Sequence, residues 1–318
     1  MRKTNLLLIL LIFFSSSKVA GQDIPGDTKI SLAYPVFSQY LQNGLIINPA
    51  YAGSREVLSL FLSGRLQWAG IKGAPILQTI SMHSLLKNNR IGLGLSGQFL
   101  QYGFSKSTSV YADYAYHLKV GTGKLSMGLR AGFDMSNTNY AGIILIDPND
   151  PVFAANDKPY ILPNVGTGLY YYTSSFFVGA AIPSFLSYVK SSSGKISLNT
   201  FKEFEVLATA GALITISPAF RIKPSVFVDW PLRSEGKVRV DLNGNFIIYD
   251  FVWLGGSWRT SEQVAVGILQ FQINPQLMFG YSYDYPVGNL NTYSKGSHEV
   301  IVRYEFGYKV SAANPRYF

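Results

Sequence analysis

The sequence predicts an all-β fold, a transmembrane outer-membrane β-barrel of about fourteen antiparallel strands with a short N-terminal segment before it. Three observations lead there. Of the 318 residues, 47% are hydrophobic and only 14% are charged, against roughly 25% charged in an ordinary soluble domain. Beyond the first 21 residues no apolar run approaches the ~20 residues of a membrane helix, so the apolar content is spread by alternation. The chain also opens with an export signal.

Taken in order, Arg2 and Lys3 supply the charged start, Leu6 to Phe14 the apolar core, and Ser15 to Gly21 the small residues before a cleavage point at Gln22. Residues 1–21 are therefore expected to be a signal peptide, too short to stay as a bilayer span. Residues 22–56 form a separate segment, too short to fold alone, expected at the periplasmic rim or in the lumen as a plug. The barrel is expected over 57–318. In 57–68, Leu58, Leu60, Leu62, Leu66 and Trp68 alternate with Ser59, Ser63, Arg65 and Gln67. Val110, Ala112, Tyr114 and Tyr116 alternate with Ser109, Asp113 and His117, and Met127, Leu129, Ala131 and Phe133 with Ser126, Arg130 and Asp134. The same dyad returns at 221–230, at 237–246 with Arg239 and Asp241 on its polar side, and at 299–309 with Glu299, Arg303 and Glu305. A period of two places one set on each face of a strand.

Segments between turn signals fall at 57–69, 75–87, 90–103, 106–119, 123–137, 164–173, 175–187, 203–217, 219–231, 236–248, 250–260, 262–274, 276–287 and 297–310. Most exceed the 5–6 residues of soluble strands, and aromatic residues gather near their ends, as an interfacial girdle requires. An even count closes a single-chain barrel. Tight connections at 87–90, 121–123, 173–175, 217–218, 249–250 and 274–275 share one end, and long ones near 138–163, 188–202 and 288–296 share the other. That pattern predicts periplasmic turns and extracellular loops.

Signals for chemistry are weak. The chain has no cysteine, which excludes disulfides, thiolate metal sites and a lipid-anchored terminal cysteine. His83, His117 and His298 lack partners at metal-ligand spacing, so neither a metal nor a cofactor is expected. Ser81 and His83 share a face, a spacing common by chance in a Ser-rich barrel. The run from Asp147 to Pro151 lacks the glycine and closing glutamate of a calcium loop. Gly92, Gly94 and Gly97 suit close packing in a barrel wall rather than a phosphate cradle. The net charge of +9 belongs to lumen and loops. Nucleic acid is excluded as a partner by the export signal and the lack of a basic aromatic cluster, which leaves outer-membrane lipid as the medium.

The polar faces supply a candidate lumen wall: Arg65, Gln67, Asp113, His117, Arg130, Asp134, Arg239, Asp241, Glu299, Arg303 and Glu305. Both signs on one wall point to ion pairs in a filled lumen, since a selective pore favours rings of one sign. Arg65 of the first strand is expected to meet Glu299 or Glu305 of the last.

A series of motifs then becomes legible. Phe37-Ser38-Gln39-Tyr40 precedes Asn48-Pro49-Ala50-Tyr51-Ala52-Gly53, then Arg65-x-Gln67-Trp68-x-Gly70, Gly73-Ala74-Pro75 and the stretch from Gln78 to His83. Asp150-Pro151-Val152-Phe153 and the stretch from Leu162 to Tyr171 follow. This series resembles the PorP/SprF family of the type IX secretion system, over nearly the whole chain after residue 21. The resemblance implies a Bacteroidota-type outer-membrane barrel serving protein export and gliding motility. One kind of member is a core component beside the periplasmic ring lipoproteins and a peptidoglycan-binding protein. The other serves a large surface adhesin carrying a type B C-terminal sorting domain. Pro49 fixes its φ and biases Asn48 to extended backbone, and Gly53 permits a left-handed turn. Residues Asn48 to Gly53 are thus expected to form a rigid corner leading into the first strand, with a second possible role as a docking surface for periplasmic partners. The alternative reading is a solute channel with an N-terminal plug.

Overall fold

The computed structural model describes residues 28–30, 36–87, 89–138, 159–190, 196–198, 204–232 and 237–307. Residues 1–21, expected as a signal peptide, and the run from Asp147 to Pro151 lie outside those residues.

Fourteen strands close into one antiparallel barrel. They are β1 (Leu58–Leu66), β2 (Ile76–Leu85), β3 (Ile91–Tyr102), β4 (Ser105–Val120), β5 (Gly123–Thr138), β6 (Tyr160–Tyr172) and β7 (Phe176–Ile182). They continue as β8 (Glu205–Ala212 and Ile214–Ser217), β9 (Phe220–Pro231), β10 (Arg239–Ile248), β11 (Val252–Arg259), β12 (Val264–Gln272), β13 (Leu277–Pro286) and β14 (Ser297–Phe306). β8 breaks at Leu213, whose N–H donates to the Ser175 carbonyl instead of the ladder. Each strand pairs with its sequence neighbours, and β14 pairs with β1 from His298↔Leu66 to Phe306↔Leu58. Closure satisfies every strand edge, the condition for crossing hydrocarbon with strands.

Alternation sets the two faces. Leu129 and Ile161 are each 61% exposed although wholly apolar, so their face meets lipid rather than water. Trp68, Tyr102, Phe104 and Trp230 ring one end of that face, and Phe176, Tyr249, Phe251 and Phe306 ring the other. The inward face holds the buried polar residues. Gly103 and Phe104 join β3 to β4 at the end where the long connections lie. That corrects the expectation that every tight turn sits at the opposite end: Gly103, with φ +54°, supplies the left-handed residue a two-residue hairpin needs. At the tight-turn end, Tyr249 and Asp250 are both left-handed, and Phe251 N–H closes the turn onto the Ile248 carbonyl.

Candidate functional site

The barrel encloses residues 37–55, which are buried against the inward face. They form three short turns: Tyr40–Gln42, Gly44–Ile47 and Pro49–Tyr51. All three are helical turns too short to persist in water, and they hold here because the wall satisfies them.

Buried charge clusters of the wall tie down both ends of the segment, through Ser38 at one end and Arg55 at the other. At the long-loop end, Arg65 Nη2 lies 2.6 Å from Asp284 Oδ2 and its Nη1 lies 3.2 Å from Glu299 Oε2. Ser38 sits among them. Its N–H donates to Glu299 Oε2 at 2.8 Å, and its hydroxyl donates to Asp284 Oδ1 at 2.7 Å. Arg259 joins this cluster through Asp284 and Asp241, each at 3.4 Å. At the tight-turn end, Arg55 Nη1 reaches Glu305 Oε1 at 2.9 Å, and Arg303 Nε reaches the same oxygen at 3.3 Å. Arg303 also donates to Gln42, and Lys124 pairs with Glu56. Buried charges of this kind persist only when paired and hydrogen-bonded.

Between the two ends, Arg130 Nε donates to Asp113 Oδ1 at 2.7 Å. Its other nitrogens donate to the carbonyls of Leu45 and Ile46, the open end of a helical turn. Gln39, Gln270 and Gln42 form a relay of amides at 2.9 and 2.8 Å. The Tyr40 ring packs at a tilt of 38° against Phe227 with centroids 4.8 Å apart, and its hydroxyl accepts from Asn243.

The Asn48–Gly53 stretch is pinned to the wall. Asn48 Oδ1 accepts from Ala50 N–H at 2.9 Å, which caps the Pro49–Tyr51 turn, while Nδ2 donates to the Leu169 carbonyl at 2.9 Å. Ser126 donates to the Ala50 carbonyl at 2.6 Å, and His117 Nε2 lies 2.8 Å from the Ala52 carbonyl. Gly53 N–H donates to His83 Nδ1 at 3.1 Å. The Tyr51 ring wedges between His83 and Tyr170, 5.4 Å from each. Beneath lies a shelf of small residues in cross-strand register: Gly92, Ala115, Gly128, Gly168 and Ala181, on five successive strands. A Cβ on Gly92 or Gly128 would overlap the backbone of Ala52 or of Pro49 and Ala50, and one on Gly168 would overlap the Asn48 side chain. A cavity beside Lys223, between the segment and the wall, measures about 20 Å³, room for about one water.

The residues named from the sequence fall as follows. Arg65, Asp113, His117, Arg130, Asp134, Asp241, Glu299, Arg303 and Glu305 are buried on the inward face. Arg239 is half-buried and pairs with Asp229 at 3.1 Å. Gln67 lies just past the end of β1, half-buried, with its N–H donating to the Pro75 carbonyl. Neighbours along a strand are not generally partners: Arg130 pairs with Asp113 across to β4, and Asp134 accepts from Ser109 and Tyr111. Asn48 to Gly53 are buried, so their contacts run to the wall. Ser81 donates to Asn43 while His83 accepts from Gly53, so both serve the enclosed segment. Sequence reasoning missed Ser38, Arg55, Arg259, Asp284 and the small-residue shelf. Among the described residues no cluster of three His, Asp or Glu side chains could hold a metal ion.

Comparison with protein families gives a match over residues 30–304 to the type IX secretion system membrane protein PorP/SprF. The chain belongs to the PorP/SprF family. Family and fold together place this PorP/SprF chain in the outer membrane, as a secretion protein rather than a member of an enzyme class. No curated protein matches it in sequence. Among solved structures, the toluene transporter TbuX of Ralstonia pickettii is similar at 9% identity and TM-score 0.51, covering 84% of this chain and 94% of its own. Acinetobacter baumannii Omp33 is similar at 10% identity and TM-score 0.46, covering 79% and 99%. The P. putida toluene transporter TodX is similar at 10% and 0.47, covering 84% and 94%. At such identity the likeness reaches the barrel and no further.

Proposed function

We propose that this PorP/SprF barrel is a plugged, non-enzymatic scaffold of the type IX secretion and gliding apparatus. It supports export or surface anchoring of an adhesin with a type B C-terminal sorting domain. As a core member it would instead tie the outer membrane to the periplasmic ring through its lipoproteins and a peptidoglycan-binding protein. The observation that carries this reading is the filled lumen. Residues 37–55 are held at one end by Ser38, hydrogen-bonded into the wall's Arg65–Asp284–Glu299 cluster, and at the other by the buried Arg55–Glu305 ion pair, which is the build of a resident plug rather than of a solute path. The Asn48–Gly53 motif anchors the plug, and partner contact falls to the turns around it.

Affinity purification of the tagged protein from native outer membranes, with identification of what accompanies it, tests the proposal. A large adhesin or its C-terminal domain supports the export role, and ring lipoproteins support the core role. A barrel that emerges alone and conducts in a planar bilayer defeats both and restores the solute-channel reading.

A further inference from the structure

The two ends of the plug lie at opposite ends of the barrel. Ser38 bonds Glu299 and Asp284, which stand two residues from the long-loop ends of β14 and β13. Arg55 bonds Glu305, one residue from the tight-turn end of β14. Glu56 bonds Lys124, one residue inside the tight-turn end of β5. From residue 299 to residue 305 along β14 is ~20 Å at the ordinary strand rise. Residues 38–55 therefore run down the lumen from the long-loop end and leave at the tight-turn end, where β1 starts at Leu58.

A second observation fixes where the chain comes from. Thr28–Ile30 pairs antiparallel with Tyr188–Lys190, which also pairs with Ile196–Leu198. Both partners belong to the connection between β7 and β8, at the long-loop end. Ile30 and Val36 are six residues apart, a reach of at most ~20 Å, which agrees with Ser38 lying at that end too. A chain arriving from the tight-turn end would need a second pass through a lumen that residues 37–55 already occupy.

In outer-membrane barrels the short turns are periplasmic and the longer loops extracellular. We infer that the stretch preceding the plug emerges at the cell surface, so that the N-terminal segment crosses the outer membrane inside its own barrel, from outside to periplasm, before the first strand begins. Thr28–Ile30, paired with the β7–β8 connection, then lies on the cell-surface side of the barrel. The inference stands on the outer-membrane barrel and does not depend on which partner is bound.

The chain has no cysteine, so single-cysteine variants of the full-length protein in its own outer membrane report topology directly. The controls are Tyr293→Cys, in the β13–β14 connection and 75% exposed, and Tyr249→Cys, in the β10–β11 turn and 76% exposed. A membrane-impermeant maleimide is applied to intact and to permeabilised cells. The expected result is that Thr28→Cys labels on intact cells as Tyr293→Cys does, while Tyr249→Cys labels only after permeabilisation. Thr28→Cys labelling that follows Tyr249→Cys overturns the inference, as does an exchange of the two controls. Should Thr28→Cys react in neither state, the Thr28→Cys/Lys190→Cys pair decides: a disulfide on mild oxidation supports the inference and its absence overturns it.

Discussion

Gly128 is the position at which seating of the plug can be tested with least damage to the barrel. It lies on the inward face of β5, and a Cβ there would overlap the backbone of Pro49 and Ala50. Valine is favoured in strands, so Gly128→Val leaves the ladder sound and acts on what lies above it. To clear the side chain, the Asn48–Ala52 turn must lift. The bonds that fail first are Ser126 to the Ala50 carbonyl, His117 to the Ala52 carbonyl and Asn48 to the Leu169 carbonyl. At ~1 kcal/mol each they amount to ~3 kcal/mol, which raises the displaced population about a hundredfold. Single-channel recording in planar bilayers reads this directly: the wild type stays closed, and Gly128→Val shows frequent openings. Gly267→Val, where nothing lies within 4 Å of a Cβ, is the control for a valine in the wall. A Gly128→Val barrel that inserts normally and conducts no more than wild type would show that the shelf does not seat the plug.

Three further outcomes are expected. Arg65→Leu leaves the buried Glu299 carboxylate without a cation and Asp284 with Arg259 alone, and costs ~3–5 kcal/mol, read as a lower unfolding temperature in detergent; an unchanged midpoint would remove the ion cluster from the stability account. Leu129→Arg, on the lipid face near mid-strand, costs ~2–4 kcal/mol of folding into bilayers, measured by urea titration in lipid vesicles, and an effect near zero would place that face away from hydrocarbon. Tyr51→Ala empties the space between His83 and Tyr170 at a cost of ~3–5 kcal/mol to plug docking. Protease treatment of the purified barrel should then cleave within residues 37–55 while the strands remain intact, and equal resistance to wild type would argue that the ring is not what holds the plug.

The barrel was legible because its signal is local. A dyad such as Leu58, Leu60 and Leu62 against Ser59, Ser63 and Arg65 can be read without knowing any neighbour, and the meander order follows from turns between successive segments. β7 shows the limit: the expected 175–187 shrinks to Phe176–Ile182, since Pro183 has no N–H to continue a ladder. The ion pairs were less legible. Which cation meets which carboxylate depends on strand register and on reach across the lumen, as with Arg259 between Asp241 and Asp284. The plug was hardest to read. Its turns satisfy their polar groups through Arg130, Ser126 and His117, residues distant in sequence, so no local pattern announces them.

One signal could have distinguished a plugged lumen from an open one. A mixed-charge inward face points to a filled lumen but does not say what fills it, because Arg65 and Glu299 pair with each other across the wall. Glycine does. In a strand it forfeits packing and carries the largest entropy cost of ordering, so on a wall lined only by water it has no advantage over serine or threonine. Gly92, Gly128 and Gly168 occupy one cross-strand row with Ala115 and Ala181, and they become reasonable only if another segment of the chain lies against them. Asn48-Pro49-Ala50-Tyr51-Ala52, with its own small alanines and a proline-fixed turn, is the stretch of this chain shaped to lie there.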